Sequence, residues 1–574
     1  MGRSTVTLSR TGVSSRVLRM PPFPGARTGT VSEEGMASEP LDAASRAEVS
    51  DALRSARVGG EFWAKPAELK TPVDVAIRAR SSDEASKLRD QCGSGVFCIP
   101  CDHAAHEHDQ SGFDTTCDID PWSVLSKVDH LIAHGDDEWV ALANTAGVSV
   151  QVLSPGRFGS PDDDSEALKQ RAAAELAGPM PDPFSHGWLE PLAAIRLLAD
   201  WRRAIDANRG GPSQTIVGAC GISWWKRDEI RRFLWVPEVS LRIVSNASRA
   251  LDIAQERGGA LAIWPSRISP SVLEDAKRRG IPLVRVEDGF VRSVGLGTNL
   301  VPPSSVIVDR QGIHYDPDAP SDLEEILANT VFSGDLLERA RKLRQAIVKN
   351  RISKYARGSA SDPEAPALSA RGRIVLVPGQ VEDDMSVVYG GGGLTSNLEL
   401  LRRARELEPG AHLVWRPHPD VDAGHRAGAV ADDDALKFAD SIVREGTMAD
   451  LLGSVDAVHV LTSLSGFEAL LRGLDVTCHG TPFYAGWGLT TDIGSVPERR
   501  ARVLSLDELV AGVLLLYPRY LDPVTGLPCP PEILVERMAE EQMPNRQSWV
   551  EPIRRFQGKI MTRFRARSRL EGKN

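Results

Sequence analysis

The sequence lacks long apolar runs, a disulfide pattern and an excess of basic residues. Its longest strongly hydrophobic stretch, LVAGVLLLY at 509–517, is shorter than the roughly 20 residues that cross a bilayer, so no transmembrane helix is expected. Seven cysteines scattered over 574 residues suit a reducing cytosol better than a disulfide scaffold. A net charge of -10 argues against a general nucleic-acid binder. These features predict a soluble, cytoplasmic chain of two or three domains.

The two ends of the chain differ in composition from the middle. Residues 1–45 are rich in Ser, Thr, Arg, Gly and Pro and lack the apolar core of a secretory signal, so we expect them to be mostly disordered. Residues 541–574 end in a basic tail, IRRFQGKIMTRFRARSRLEGKN. The tail predicts either a contact with anionic lipid or a membrane partner, or a solvated, frayed terminus.

Strands alternate with helices from about residue 214 onward. Strand-like runs such as TIVGAC (215–220), PLVRVEDGF (282–290), RIVLVPGQ (373–380) and DAVHVLTS (456–463) are separated by helical segments. This alternation predicts parallel, doubly wound α/β sheets in two Rossmann-type domains, 211–370 and 371–540, with a Ser/Ala/Pro/Gly linker at 354–372. Two such domains facing across a cleft describe a GT-B glycosyltransferase and, equally, many two-domain binding proteins. Ligands of such sheets bind beyond the carboxyl ends of the strands.

A weak internal repeat precedes these domains. Residues 128–161 parallel 455–488 in the order strand, loop, helix, strand. Residues 46–210 are therefore predicted to form a degenerate partial α/β copy. Gly135 stands near the place of Ser463, and Val140 near that of Glu468, so we expect the copy to be catalytically silent.

WRPHPD (415–420) follows a predicted strand. Pro417 and Pro419 fix the backbone on either side of His418, and Arg416 precedes them. The pattern predicts a site for a phosphate or carboxylate, and a structural turn with a surface arginine is the alternative.

TSLSGFEAL (462–470) predicts the start of a helix. Ser463 and Ser465 offer hydroxyls, and the first-turn amides from Gly466 onward are donors that suit a phosphate. Glu468 stands three residues after Ser465, which is the capping-box spacing. Glu468 is therefore predicted either to close the helix end or to accept hydrogen bonds from ribose hydroxyls.

The segment PGQVEDDMS (378–386) places polar groups at a strand end. Gln380, Asp383, Asp384 and Ser386 follow the strand. A solvated acidic turn is the simplest interpretation. A P-loop is excluded because no Gly-Lys-Ser/Thr follows, and a metal site would lack nearby histidines.

VRVEDGFVRSVGLGTN (284–299) places Glu287 and Asp288 at another strand end, with Arg285 and Arg292 nearby. Paired carboxylates across a cleft suit general acid–base chemistry, and a salt-bridged loop is the alternative.

CIPCDHAAHEHD (98–109) contains Cys98, Cys101, His103 and His106. These residues are potential zinc ligands, but their spacing matches no known zinc module, and we regard zinc as the minor alternative.

The motifs EDGFVRSVGLG, GQVEDDMS, WRPHPD, TSLSGFEALLRG and PFYAGWGLT, in that order over about 215–540, resemble the capsule polysaccharide biosynthesis family. Its best-known members are retaining β-Kdo glycosyltransferases of the KpsC and KpsS type. The resemblance implies a GT-B-like fold, CMP-Kdo as the donor substrate, no cofactor and no metal. It puts the aromatic loop 481–492, with Tyr484 and Trp487, at the donor cleft.

By position, the resemblance also implies roles for individual residues. Asp384 falls on the probable nucleophile, with Asp383 as its rival, and Glu287 on the probable acid/base. The motifs and the resemblance together assign substrate binding to a larger set of residues. These are Gln380, Ser386, Arg416, His418, Ser463, Ser465, Gly466, Glu468, Arg292, Tyr484 and Trp487.

Only the second of the family's two catalytic modules is complete here, so a single linkage is the expected product. The implied partners are a nucleotide-sugar donor, a lipid-linked glycan acceptor and a capsule export complex at the inner face of the cell membrane. A non-catalytic export or scaffold protein, or a GT-B enzyme that uses another nucleotide sugar, remains the alternative.

Overall fold

The structure is a computed structural model that describes residues 17–26, 42–69, 72–100, 119–176, 178–185, 187–211, 214–291, 301–353 and 372–540. The chain forms two compact units. The first comprises the residues up to 211 together with 234–240, and the second comprises 212–233 and the residues from 241 onward. Within the described ranges, no helix is both long and apolar enough to cross a membrane.

The first unit contains a parallel sheet of four strands: β1 (Val75–Ala79), β2 (Val96–Pro100), β3 (His130–Ala133) and β4 (Ser149–Val152). Their order is β2–β1–β3–β4. A short antiparallel pair consists of β5 (Met180–Pro181) and β6 (Trp188–Leu189). The helices are α1 (Ala43–Ala56), α2 (Ser82–Cys92), α3 (Pro121–Leu125), α4 (Trp139–Ala146), α5 (Ser165–Leu176) and α6 (Pro191–Arg209).

Part of the N-terminal segment packs into the first unit, whereas the sequence predicts that residues 1–45 are mostly disordered. Val17 is fully buried. The ring of Phe23 lies 5.4 Å from that of Trp201 and 4.8 Å from that of Trp235. Burial of the apolar residues in VLRMPPF (17–23) favours this packing. The polar average composition of 1–45 gives no indication of this short apolar run. Residues 1–16 and 27–41 lie outside the described ranges.

The second unit contains two sheets. Its strands are β7 (Ile216–Cys220), β8 (Arg242–Val244), β9 (Ala260–Ile263), β10 (Leu283–Asp288), β11 (Ser305–Asp309), β12 (Ile374–Pro378), β13 (His412–Arg416), β14 (Ser441–Ile442), β15 (Ala457–Val460), β16 (Asp475–Cys478), β17 (Thr491–Asp492), β18 (Pro518–Leu521) and β19 (Pro528–Cys529). Its helices are α7 (Arg227–Phe233), α8 (Ala247–Glu256), α9 (Pro270–Arg279), α10 (Asp322–Asn329), α11 (Gly334–Lys349), α12 (Met385–Gly390), α13 (Asn397–Leu407), α14 (Pro419–Asp422), α15 (Asp432–Ala435), α16 (Met448–Leu452), α17 (Leu464–Leu471), α18 (Leu506–Val510) and α19 (Pro531–Ala539).

The first of these sheets has seven strands in the order β19–β18–β11–β10–β9–β7–β8. The strands β7 to β10 are parallel as predicted, but β11, β18 and β19 pair antiparallel. Because β18 pairs with β11, the chain returns to this sheet after completing the second one. The predicted domain 371–540 is therefore wrong at its carboxyl end. Such a pairing is set by tertiary contacts between distant segments and leaves no local pattern.

The second sheet has six strands, all parallel, in the order β14–β13–β12–β15–β16–β17. One buried apolar cluster includes Ile307 of the seven-stranded sheet together with Leu376 and Val458 of the six-stranded sheet. The two sheets therefore share a core. The four-stranded order β2–β1–β3–β4 also matches β13–β12–β15–β16, although the interpretation of the first unit as a degenerate copy stays a prediction.

Candidate active site

Three neighbouring strands of the six-stranded sheet end at one edge. β13, β12 and β15 are adjacent and parallel, so their carboxyl ends lie side by side. Arg416 ends β13, Gln380 follows β12 and Ser463 follows β15. The strand order reverses between β12 and β15, which is the position where open α/β sheets bind ligands. The fold therefore brings three of the predicted motifs to one edge.

Gln380 joins the two strands at this reversal. Its Nε2 donates to Thr462 Oγ1 at 3.0 Å, and its Oε1 accepts from the Thr462 backbone N–H at 2.8 Å. Asn397 accepts from the Gln380 backbone N–H at 2.9 Å and donates to the Gln380 carbonyl at 2.8 Å. Gln380 is buried, and both ends of its amide are engaged within the protein. This geometry connects the two strand ends through Gln380, and its predicted substrate contact stays a prediction.

Asp384 caps the helix α12. Its Oδ1 accepts from the Ser386 backbone N–H at 3.0 Å and from Ser386 Oγ at 2.7 Å. Thr462 Oγ1 donates to Ser386 Oγ at 3.3 Å, which links the carboxylate to the strand edge. Asp383 is also exposed, but it forms an ion pair with Arg426 at 3.0 Å. The two neighbouring carboxylates therefore have different environments, and the hydrogen-bonded path from the edge leads to Asp384.

The helix after β15 begins earlier than predicted. Ser463 is the N-cap of α17, and its Oγ accepts from the Ser465 N–H at 3.2 Å and donates to Ser465 Oγ at 3.1 Å. Two hydroxyls thus lie at the positive end of the helix dipole. Because Ser463 is the cap, Glu468 is the fifth helical residue and does not occupy the capping-box position. The predicted helix-closing role of Glu468 is therefore wrong.

The aromatic loop supports α17 from its buried side. A Cβ atom at Gly466 would lie 2.2 Å from Tyr484 Oη, so this close approach requires glycine. The Tyr484 hydroxyl donates to the Ser463 carbonyl. Tyr484 and Trp487 are both 0% exposed, and Trp487 Nε1 donates to the Phe483 carbonyl at 3.0 Å. Both side chains are therefore packed inside the protein, and the predicted substrate contacts of Tyr484 and Trp487 stay predictions.

Phe483 connects the aromatic loop to the seven-stranded sheet. Its ring centroid lies 4.5 Å from that of Phe290, and the Phe290 ring lies 6.3 Å from Phe467 in α17. Phe290 comes two residues after Asp288, the last residue of β10. The aromatic cluster therefore fixes the end of β10 relative to α17.

Arg416 is buried at the end of β13. Its guanidinium donates to three backbone carbonyls in the loop after β14, at 3.2, 2.6 and 2.8 Å, which belong to Val443, Glu445 and Gly446. Burial lowers the pKa of Arg416. These contacts hold the loop beside the strand. The predicted phosphate contact of Arg416 stays a prediction.

His418 is the N-cap of α14. Its Nδ1 accepts from the Asp420 backbone N–H at 3.2 Å. An accepting Nδ1 leaves the proton of the neutral ring on Nε2. His418 can therefore present a donor at this edge of the sheet.

Glu287 lies at the end of β10, in the seven-stranded sheet. Its Oε1 accepts from the Asp288 backbone N–H at 3.0 Å, and Asp288 pairs with Lys226 Nζ at 2.9 Å. The buried Lys226 ammonium also lies 3.6 Å from the centroid of the Trp264 ring. The pair anchors the residue next to Glu287. Sequence reasoning missed Lys226, whose signal was a basic residue in the aromatic segment SWWKRDE after β7.

Tyr315 lies near both predicted catalytic carboxylates. Burial raises the pKa of its hydroxyl, and the negative charges of Glu287 and Asp384 raise it further. Glu287 belongs to β10 of the seven-stranded sheet and Asp384 caps α12, yet the charges of both act on the same hydroxyl. No motif in the sequence marked Tyr315.

Arg292 lies outside the described residues, as do Cys101, His103 and His106. Cys98 lies in β2, where its Sγ donates to the Ala85 carbonyl at 3.8 Å. The zinc alternative stays a prediction.

The corresponding corner of the first unit has different chemistry. α4 follows β3 as α17 follows β15, but a Cβ atom at Gly135 would lie 2.0 Å from the Gly159 carbonyl. Backbone therefore fills the place where a serine side chain would stand. Acidic residues precede the helix, and each is ion-paired with an arginine: Asp136 with Arg80, Asp137 with Arg78 and Glu138 with Arg19.

Comparisons with known proteins agree with the motif resemblance. Residues 259–520 match the family of capsule polysaccharide biosynthesis proteins. Capsule polysaccharide modification protein LipA of Neisseria meningitidis serogroup A is 44% identical over 331 residues, which cover 58% of this chain and 46% of LipA. Lipopolysaccharide-processing protein LpsZ of Rhizobium meliloti is 39% identical over 315 residues, which cover 54% of this chain and 71% of LpsZ. The chain thus spans about half the length of LipA.

Two solved structures from Thermosulfurimonas dismutans are also similar. KpsC, beta Kdo 2,7 transferase, is 37% identical, with 57% of this chain and 99% of that chain covered and a TM-score of 0.46. KpsC, beta Kdo 2,4 transferase, is 32% identical, with 56% and 98% covered and a TM-score of 0.48.

Proposed function

This chain belongs to the capsule polysaccharide biosynthesis family, and on that premise we propose that it is a glycosyltransferase that transfers Kdo, or a related ulosonic acid, from CMP-Kdo to a lipid-linked glycan acceptor with retention of configuration. The second unit acts as a GT-B-like pair of Rossmann-type sheets. The six-stranded sheet binds the nucleotide, and the seven-stranded sheet supplies Glu287. The donor substrate is CMP-Kdo, and the reaction uses no cofactor.

The main support for this proposal is the arrangement of side chains between β12 and β15, where the strand order of the six-stranded sheet reverses. The Asp384 carboxylate is linked through Ser386 to Thr462, and Ser463 follows Thr462 at the start of α17. A nucleophile and an anion-binding helix end are therefore built on adjacent strands. This arrangement suits attack on a sugar whose leaving group is a nucleoside monophosphate.

In the proposed donor complex, the CMP phosphate lies at the N-terminus of α17. The hydroxyls of Ser463 and Ser465 and the helix dipole stabilise its negative charge. His418 contributes the Nε2 donor from the neighbouring strand end. Tyr484 does not contact the nucleotide but holds the first turn of the helix through the Ser463 carbonyl.

The proposed chemistry is a double displacement. Asp384 attacks the anomeric carbon, the bond from that carbon to the phosphate oxygen breaks, and CMP leaves with the electron pair. Ser386 holds Oδ1 of Asp384, so Oδ2 is the attacking atom. Glu287 then removes the proton of the acceptor hydroxyl, whose oxygen displaces Asp384. Two inversions give net retention.

We further propose that the reaction takes place at the inner face of the cell membrane. A lipid-linked acceptor is held there by its lipid, so the enzyme meets it as a peripheral protein. The product then passes to a capsule export complex.

The direct test is incubation of the full chain with CMP-Kdo and a synthetic Kdo-terminated lipid acceptor. Mass spectrometry should show an acceptor heavier by one Kdo, with release of CMP. CMP binding without product would favour a non-catalytic scaffold protein. Turnover with another nucleotide sugar alone would favour a different GT-B enzyme.

A further inference from the structure

Tyr315 carries a buried hydroxyl that no described residue satisfies. The residue is 8% exposed, and its Oη has no hydrogen-bond partner in the described part of the chain. Leaving a buried hydroxyl unpaired destabilises a fold, so native proteins rarely do so without a functional reason. The residue therefore needs an explanation beyond packing.

The backbone and ring of Tyr315 connect the two halves of the site. A Cβ atom at Gly390, in α12, would lie 3.6 Å from the Tyr315 carbonyl. The Tyr315 ring lies 5.2 Å from His314, and the His314 ring lies 5.0 Å from Phe290, close to the end of β10. Tyr315 thus lies against the helix that Asp384 caps, and its neighbour His314 contacts Phe290 just beyond the strand that carries Glu287.

The surroundings of the hydroxyl favour a neutral donor. Burial raises the pKa of Tyr315, and the charges of Glu287 and Asp384 raise it further, so the phenol keeps its proton. Carboxylates only accept hydrogen bonds and repel an anionic sugar. A neutral O–H that both charges influence offers a donor without adding charge.

We propose that Tyr315 Oη donates a hydrogen bond to an oxygen of the transferred sugar and thereby positions that sugar between Asp384 and Glu287. This inference rests on the proposed function. The bond forms only when donor substrate is bound, which accounts for a hydroxyl that lacks a partner among the described residues. Tyr315 is a substrate-positioning residue in this account, and it transfers no proton.

Tyr315→Phe tests the role because it removes only the hydroxyl. The thermal midpoint of the substrate-free protein should stay equal or rise, because no protein hydrogen bond is lost. CMP affinity should stay within about twofold, while kcat/KM for sugar transfer should fall by about 10- to 100-fold, the loss typical of one substrate hydrogen bond. The KM for the acceptor should not change.

Tyr520→Phe is the matched control. Tyr520 is also buried, but its hydroxyl donates to the Leu514 carbonyl at 2.8 Å. This variant should lose thermal stability and keep the transfer rate of the folded enzyme. A fall in thermal midpoint for Tyr315→Phe that equals that of Tyr520→Phe would overturn the proposal, because it would reveal a protein partner.

Two activity outcomes separate this inference from the proposed function. A wild-type protein that forms no product contradicts the proposed function, and the inference falls with it. Normal wild-type turnover together with an equally active Tyr315→Phe contradicts the inference alone.

Discussion

Gln380 and Thr462 join the ends of two neighbouring strands through a pair of hydrogen bonds, 3.0 and 2.8 Å long. The pair spans the point where the strand order of the six-stranded sheet reverses. Thr462 also donates to Ser386, which donates to Asp384. The site therefore depends on one buried amide that contacts neither nucleotide nor sugar in our account.

Gln380→Ala should destabilise the protein and lower sugar transfer. It leaves the buried N–H and hydroxyl of Thr462 without their partner, which costs about 1–3 kcal/mol. Urea unfolding measures the loss. The matched control is Gln255→Ala on the exposed face of α8, which should change stability by less than about 0.5 kcal/mol. Equal stability of the two variants would show that the amide bridge is dispensable.

The double variant Ser463→Ala/Ser465→Ala should weaken CMP binding by about 1–3 kcal/mol, because it removes hydroxyl donors to a charged phosphate. Isothermal titration calorimetry measures the change. Ser463 also caps α17, so a control must separate helix stability from binding. Ser505→Ala removes the N-cap of α18 and should leave CMP affinity unchanged. An unaltered affinity in the double variant would refute the phosphate assignment.

We expect one CMP per chain. In the first unit, backbone fills the place of a serine at Gly135, so a phosphate there would meet neither a hydroxyl nor space. Calorimetric titration of the full chain should give a stoichiometry of one. A stoichiometry of two would show that the first unit retains a nucleotide site.

The sequence predicted local features of the site better than its tertiary contacts. β13 was recognised because HLVWR is a short apolar run ended by Arg-Pro, and such runs reflect local burial. The pairing of β18 with β11 was missed because it joins segments about two hundred residues apart along the chain. The resemblance puts Tyr484 at the donor cleft, but its burial could not be predicted, because a glycine-rich aromatic loop has the same sequence pattern whether it faces a ligand or a core.

The N-cap of α17 illustrates a second limit. Ser463 and Ser465 both satisfy the residue preference for a cap, and only the backbone geometry selects Ser463. Arg416 shows the same limit, because the carbonyls that it contacts belong to a loop about thirty residues further along the chain. Motifs identify the residues of a site, but the partners of those residues depend on the fold.

Acidification should destabilise the six-stranded sheet. His459 Nδ1 lies 3.1 Å from His479 Nε2, and burial lowers the pKa of each ring from 6.5 to about 4. The unfolded chain therefore binds protons that the folded chain does not as the pH falls from 6.5 to 4. The stability contributed by the two neutral rings is fully present above pH 6.5 and is lost as the pH falls toward 4.

The double variant His459→Gln/His479→Gln should lose less unfolding free energy than wild type when the pH falls from 7 to 5. Urea unfolding at pH 7 and pH 5 measures the difference. His425 is exposed, so His425→Gln should keep the wild-type dependence. If the double variant loses as much unfolding free energy between pH 7 and pH 5 as wild type does, the histidine pair does not cause the loss.

The central claim is that Asp384 attacks the sugar, and its most direct test is the covalent adduct. Intact-protein mass spectrometry after mixing with CMP-Kdo and a slow acceptor should show a mass increase of one Kdo. Digestion should map the adduct to Asp384. Asp384→Ala should lose both adduct and transfer but keep CMP binding, while Asp383→Ala, which breaks only the exposed pair with Arg426, should keep measurable turnover. An adduct on another residue, or a product with inverted configuration, would contradict the account.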